Sequence, residues 1–453
     1  MIQSINPYTG KIIAGYPEHN NADIDRIIEK TDKAFGNWRR LSFSKRAVFT
    51  KKMGQLLRKS KEVYAELITS EMGKIISEAK AEIEKCVWLC DYYAENSENM
   101  LKPEFIESNA VKSYVRFDPV GTIYAIMPWN FPFWQVLRFA IPTIMAGNTV
   151  ILKHATNVMG CATAIENLFD ESGFPDNIFR NLIIPVELSE KVIADSRIQG
   201  VTLTGSQRAG RIVAAQAGKY LKKSILELGG SDPYLVLNDA ELKVSCRTGV
   251  TARMANAGQV CISAKRFIVE EGILNQFIEE QKFLLKNMVL GNPMKENTDM
   301  GPLARADLLE NIEKQVNESV RIGAEIITGG HRLDSKSLFY APTLITNVKK
   351  GMPVYDEETF GPLSVVIPAK NAEDAIRIAN DTTYGLGASL WTQDLEKAEE
   401  IAANIEAGVV FINGMTKSDP RLPFGGTKRS GYGRELSHFG IKEFLNIKTV
   451  CIA

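Results

Sequence analysis

Apolar positions in the first hundred residues recur at helical spacing. Asn21 stands ahead of Ile24, Ile27, Ile28 and Phe35, which predicts a helix capped at Asn21 with those side chains on one face. Ser44 caps a second helix that turns Met53, Leu56 and Leu57 inward, and a third, from near Ser60, turns in Val63, Leu67 and Ile68. A fourth runs from Ile75 to Asn99 with Ile76, Ile83, Val87 and Cys90 inward. Residues 1–17 precede these as short strands, with turns at Asn6-Pro7 and Thr9-Gly10. From Val111 the period shortens. SYVRFDPVG alternates as a half-buried strand does, while GTIYAIMPW and residues 148–153, with Val150, Ile151 and Leu152 at their centre, read as buried strands. Helices at 157–172, 188–195 and 206–219 then alternate with strands at 179–184, 200–204 and 223–228. The second half repeats this order, with strands at 233–237, 264–269, 324–328, 363–366, 386–391 and 408–411 and helices at 239–256, 273–287, 371–380 and 394–404. Such alternation predicts the α/β class, with two mostly parallel, doubly wound units in tandem. The tail at 444–450 alternates as a strand and is expected to complete a further sheet, in its own subunit or in a partner.

Composition narrows the function classes. Apolar residues at 45% and charged residues at 24% are ordinary for a folded globular chain of 453 residues. Lysine plus arginine equals aspartate plus glutamate, 54 each, which argues against a nucleic-acid or anionic-membrane surface. Six cysteines without CxxC spacing, and four scattered histidines, argue against a disulfide scaffold and against a metal site. The N-terminus lacks a signal-peptide pattern, and the most apolar stretch, Val120 to Leu152, carries three prolines and an arginine, so no membrane span is expected. The expectation is a cytoplasmic, reduced protein.

Candidate chemistry gathers at strand ends. Cys261 follows a predicted helix on a glycine-containing turn, Asn256-Ala-Gly-Gln-Val-Cys261. Glu227 ends a strand and opens a Gly229-Gly230 turn, where open sheets place ligands and where a carboxylate can take a proton from a thiol or a water. Asn130, after another buried strand, offers an amide that can stabilise an oxyanion. Taken singly, each has a plainer role: apolar filler, helix cap, turn residue. Thr204-Gly205-Ser206 follows a buried strand and opens a helix, a turn suited to phosphate or to simple chain reversal. Arg138 lies in an apolar stretch, where a charge needs either an internal partner or an anionic ligand.

Together the segments PWNFP (128–132), LKH around Lys153, TGS (204–206), ELGGSDP (227–233), GQVC (258–261), EETFGP (357–362) and PFGGTKRSGYGRE (423–435) resemble the aldehyde dehydrogenase superfamily in order and spacing, over nearly the whole chain. MPWNFPFWQV, KHATNVMGCA and GRELSHFG are similar to its bacterial NAD(P)-dependent succinate-semialdehyde dehydrogenases. The resemblance implies a Rossmann-type cofactor domain (1–100 and 120–227), an α/β catalytic domain (228–433) and a small β oligomerisation arm (101–119 and 434–453). It implies that Cys261 is the nucleophile, Glu227 the general base, and Asn130 with the Cys261 N–H the oxyanion hole. Ile126, Met127, Trp129, Lys153, His154, Thr156, Gly205, Ser206, Leu228, Gly229, Glu358 and Phe360 would hold NADP or NAD.

Thr156 stands where NAD-preferring relatives carry a glutamate, and His154 adds a candidate positive partner, so dual cofactor use is expected. Arg138, Trp134, Ser418 and Arg421 are the expected contacts for a carboxylated aldehyde, with succinic semialdehyde favoured over glutarate semialdehyde or a neutral aliphatic aldehyde. The second clamp arginine of some relatives, six residues before the nucleophile, is replaced here by Ala255, and nearby Arg253 lies on a different helical face. Ser263 replaces the second cysteine of a redox pair. A cysteine esterase would need only the Cys–Glu–Asn set, and dependence on NAD(P)+ separates it from a dehydrogenase. A homodimer or homotetramer is expected.

Overall fold

In the computed structural model, which describes residues 1–453, the apolar run Thr122–Met127 is an inner strand of a six-stranded sheet. Its parallel neighbours are Thr149–His154 and then Phe179–Asn181 on one side, and Ile198–Thr204 and then Lys223–Glu227 on the other. Chain order reverses at the first of these strands, and open α/β sheets bind ligands beyond the carboxyl ends of the strands at such a point. Those ends lead into Pro128-Trp129-Asn130, into Gly205-Ser206 and into Glu227. Both faces of the sheet are covered by helices, so its strands are apolar without alternation.

A seven-stranded sheet runs Glu325–Thr328, Thr343–Thr346, Leu363–Ala369, Ala264–Glu270, Asp232–Val236, Gly387–Trp391 and Val409–Ile412, parallel except at its first pair. The tail strand Leu445–Ile452 pairs antiparallel with Lys112–Pro119 of its own chain, Leu445 opposite Pro119 and Ile452 opposite Lys112, and Glu104–Phe105 extends that sheet. Gly431–Tyr432 returns to pair with Leu226 and Glu227 of the first sheet. No helix is long and apolar enough to cross a membrane.

Several local expectations are corrected. The first helix, Asn21–Trp38, is capped by Asn20, whose side chain accepts from the Ala22 and Asp23 N–H groups while Asp23 accepts the Asn20 N–H. Ser42, not Ser44, caps Phe43–Lys59. Val63 is 65% exposed, so the inward face of the third helix is set by Ala65, Ile68 and Met72. Two helices fall outside the predicted set. Trp134–Met145 is buried at every position and contains Pro142, so it has neither a polar face nor an uninterrupted pattern. Ala306–Arg321 does carry the signal, with Leu309, Ile312 and Val316 buried at helical spacing.

The helix Met159–Glu171 starts against a buried carboxylate. Glu71, fully buried, accepts the Gly160 and Cys161 N–H groups, each at 2.8 Å, and the Ser4 hydroxyl. Burial raises the Glu71 carboxyl above the usual carboxylate range, and these bonds oppose the rise. Glu71→Ala leaves two helix-terminal donors without a partner and is expected to cost about 2–4 kcal/mol. A thermal scan should show the transition lowered, and lowered less by Glu71→Gln, which still accepts. An unchanged transition in Glu71→Ala would refute the role.

Candidate active site

The strand ends and the Cys261 loop enclose a cavity of about 330 Å³ lined by Trp129, Asn130, Gly205, Ser206, Glu227 and Cys261, with Leu228, Gly229, Glu358 and Phe360 completing its floor. A second cavity, about 150 Å³, opens on the far side of the thiol and is walled by Trp134, Phe131, Phe424 and Ile262. Cys261 and Gln135 face both, so the thiol sits at their junction.

The nucleophile loop is held tightly. Asn256 and Ala257 adopt left-handed backbone, φ 52° and 53°, followed by Gly258 at φ 75°. A Cβ on Gly258 would lie 2.1 Å from the Gly361 carbonyl oxygen, so only glycine fits. The Asn256 amide donates to the carbonyls of Asn130 and Gln259, and the Asn130 amide donates to the Gln259 carbonyl at 3.0 Å. Asn130 therefore has one N–H engaged and a second available beside the thiol. Burial pushes the Cys261 thiol up to about 11, against the pull of the Arg138 and Lys265 charges. Glu227 is buried, and desolvation with the neighbouring Glu435 carboxylate raises it well above the usual range.

On the larger cavity's side, Glu358 accepts the Gly230 N–H at 3.1 Å, and a Cβ on Gly229 would lie 2.1 Å from its Oε2. This glycine-floored cradle leaves carboxylate lone pairs for ribose hydroxyls. Ser206 caps Gln207–Lys219, so the helix start faces the cavity. Trp129 and Phe360 meet edge to face, with centroids 5.9 Å apart. Lys153 is 5% exposed, burial lowers its ammonium, and its one hydrogen bond is a long one, 3.5 Å, to the next residue's carbonyl. A buried cation so poorly partnered fits a ribose contact. These features fit a dinucleotide.

Ile126 and Met127 form the strand end beneath, Met127 buried, and Thr156 is exposed at the start of a short 3-10 turn. His154 corrects its expected role. It is fully buried, its Nδ1 accepts the Ala155 N–H, its Nε2 faces the Pro132 carbonyl at 2.9 Å, and burial lowers it to about 4. It is a neutral strut and offers a cofactor phosphate no charge.

On the smaller cavity's side, Arg138 is 2% exposed and forms a close ion pair with buried Glu435, stacking 4.7 Å over Phe424. Its guanidinium still lines the cavity, as do Trp134 and Ser418. Arg421 does not line it: it pairs with Asp419 at 2.6 Å and lies over Trp88. Arg253 is fully buried and donates to the Thr359, Gly361 and Leu363 carbonyls.

Three residues were not anticipated. Lys265 donates to the Cys261 carbonyl at 2.6 Å and reaches Glu358 at 3.5 Å. Arg305 enters the larger cavity, 5.4 Å over Trp129. Lys85, from the helix Ile76–Met100, donates to Ser418 Oγ at 2.7 Å in the smaller one. Lys265 was legible in part, since it stands four residues beyond the cysteine. The other two come from elements whose approach to the site no motif marks.

A thiol, a buried carboxyl and an amide at a strand-end junction, beside a cleft with a helix start and the Glu358 carboxylate on its wall, fit a cofactor-dependent thiol enzyme. The chain belongs to the aldehyde dehydrogenase family, whose model matches residues 1–450. It is 45% identical to the probable succinate-semialdehyde dehydrogenase [NADP(+)] of Synechocystis sp., over 100% of both chains. It is also 45% identical to the succinate semialdehyde dehydrogenase [NAD(P)+] of Escherichia coli, over 99% of this chain and 97% of that one. The crystal structure of succinic semialdehyde dehydrogenase from Streptococcus pyogenes in complex with NADP+ superposes with a TM-score of 0.98 at 36% identity, covering 100% of both chains.

Because the Lys265 charge favours the Cys261 thiolate, Lys265→Met should raise the thiol's pKa by about one unit. Alkylation by iodoacetamide at neutral pH should then slow about tenfold. An unchanged alkylation rate would refute that charge effect.

Proposed function

We propose that the protein oxidises succinic semialdehyde to succinate with NADP+ or NAD+, through Cys261. The observation that carries this is the position of Cys261 at the junction of two cavities, a larger one bordered by Ser206, Trp129 and Glu358 and a small one bearing cations. The 45% identical relatives named for that substrate support it.

Chemistry follows from the residues. The Cys261 thiolate adds to the aldehyde carbon, giving a thiohemiacetal whose oxyanion is met by the free Asn130 N–H and the Cys261 N–H. A bound nicotinamide ring supplies the hydride acceptor that leaves the acyl group on sulfur as a thioester. Glu227 then takes a proton from the attacking water as the acyl carbon–sulfur bond breaks, releasing succinate and restoring the thiolate. Glu358, Lys153, Ser206 and Trp129 hold the cofactor. Thr156, an uncharged hydroxyl, tolerates either ribose, which supports use of both cofactors.

Arg138, Trp134 and Ser418 border the aldehyde. Six free cysteines suit a reducing cytoplasm. The exposed Phe105, Ile447 and Ile452 on the three-stranded sheet, with Ile106 beside them in the chain, suit a homodimer or homotetramer.

In a cofactor-reduction assay, kcat/KM for succinic semialdehyde should exceed that for butanal by about tenfold or more, with both NADP+ and NAD+. Cys261→Ala should abolish turnover, and Glu227→Gln should slow it by about 10²–10⁴. The rate should climb from neutral to alkaline pH, because both the thiol and the Glu227 carboxyl titrate above their ordinary values and must lose protons to act. Equal use of butanal would refute the substrate, and a rate that falls over that range would refute the assignment of the base.

A further inference from the structure

The larger cavity is poorly furnished with positive charge for a group that carries phosphates. Glu227 and Glu358 stand on its wall, and Arg305 is the one basic side chain among the lining residues. Lys153 and Lys265 lie outside that lining, and Lys265 is turned to the Cys261 carbonyl and to Glu358. The anionic group that NADP+ and NAD+ have in common is the diphosphate. The start of Gln207–Lys219, capped by Ser206, offsets part of such a charge. A helix end supplies only about half an elementary charge, so the larger share falls to a side chain.

Arg305 is placed to supply it and is held where it is only lightly. It directly precedes the helix Ala306–Arg321, which adds Leu308 and Asn311 to the cavity wall. Its guanidinium lies 5.4 Å over the ring of buried Trp129. Its Nε and Nη2 both donate to the Asp307 carboxylate at 2.8 Å, two residues further on. That pair is open to water, its two side chains 39% and 63% exposed, and exposed pairs contribute little. Asp307 stands in the first turn of its helix, where the dipole favours a carboxylate whether or not Arg305 is beside it. Giving up the arginine therefore costs Asp307 little.

We propose that Arg305 is an exchange arm for the cofactor, its guanidinium leaving Asp307 for the diphosphate of bound NADP+ or NAD+ and returning to Asp307 when the cofactor departs. The planar fork that now meets two carboxylate oxygens matches two phosphate oxygens equally well. One anion replaces another, so the guanidinium is never left without a partner. Asp307 is thereby a competitor of the cofactor, and it weakens binding so that the cofactor can be released. The inference rests on the cofactor reading of the larger cavity, while the Arg305–Asp307 pair and its place on the wall stand independently of it.

The test is calorimetric titration with NADP+ and with NAD+, in the absence of aldehyde. It uses wild type, Arg305→Met, Arg305→Lys, Asp307→Asn and the variant that combines Arg305→Met with Asp307→Asn. Arg305→Met should raise Kd about tenfold, and alike for the two cofactors. Arg305→Lys, which keeps the charge without the fork, should recover part of the loss. Asp307→Asn should lower Kd by about two- to fivefold, and that gain should vanish once Arg305 is Met. An unchanged Kd in Arg305→Met overturns the inference and leaves the reaction at Cys261 intact. A loss confined to NADP+ assigns Arg305 to the 2′-phosphate and also overturns it. A gain from Asp307→Asn that persists without Arg305 reports only a removed negative charge and overturns the exchange. Wild type that binds neither cofactor overturns the cofactor reading, and the inference with it.

Discussion

Two carboxylates on one helix, Glu78 and Glu82, hold together the parts of the site that come from opposite halves of the chain. Glu82 accepts the Phe133 and Trp134 N–H groups at 2.9 and 3.0 Å, just beyond the segment that carries Asn130. Glu78 accepts the Asn256 N–H with both oxygens, at the start of the loop that carries Cys261. The two lie four residues apart on Ile76–Met100 and so share a face. The separation between the Asn130 segment and the Cys261 loop is thereby tied to the pitch of a helix. Charge-assisted bonds of this kind are roughly twice as strong as neutral ones. Burial pushes the Glu78 carboxyl up to about 7, while the Lys74 charge restrains it. Lys74 also pairs with Glu82 and sits 3.6 Å over Phe131, so one buried cation serves both clamps.

The clamps matter because the cysteine loop is not a relaxed one. Left-handed backbone at a non-glycine residue costs about 1–2 kcal/mol, and Asn256 and Ala257 adopt it in succession. The surroundings that impose this also join the loop to the cofactor side. Gly258 packs on Gly361, Arg253 binds the Thr359 and Gly361 carbonyls, and Gln315 donates to Glu357 and to the Glu358 carbonyl. With Lys265 bridging the Cys261 carbonyl and Glu358, the thiol loop and the Glu358 carboxylate are parts of one bonded unit. A shift in either is felt by the other.

Much of this was legible from residues alone. Strand ends at Asn130, Ser206 and Glu227 could be placed because buried parallel strands are short apolar runs bounded by turns, and the topological rule supplies their common location. Trp134–Met145 could not be read as a helix, because a helix buried on all sides has no periodicity to detect. Its omission hid the element on which Trp134, Gln135 and Arg138 are displayed. His154 was misjudged because a sequence shows a titratable ring and not the two carbonyls and the amide that surround it. Lys85 was invisible for the converse reason: on its own helix it reads as one more exposed lysine, and only the packing of Ser418 and Trp134 over it makes it a cavity group.

Arg138 shows how a sequence rule can be right and still underdetermine function. A charge in an apolar stretch requires a partner, and the stretch of sequence around it contains none. The partner, Glu435, arrives from nearly three hundred residues away and stands next to Glu227. Glu227 and Glu435 together place two carboxyls in a water-poor junction, and one guanidinium there offsets no more than one full negative charge. An anionic substrate entering such a junction meets repulsion, which grows as the local dielectric falls. Selecting for a carboxylate therefore demands positive charge beyond what neutralises the catalytic groups. A second cation does border the small cavity: Lys85 donates to the Ser418 hydroxyl and forms no ion pair.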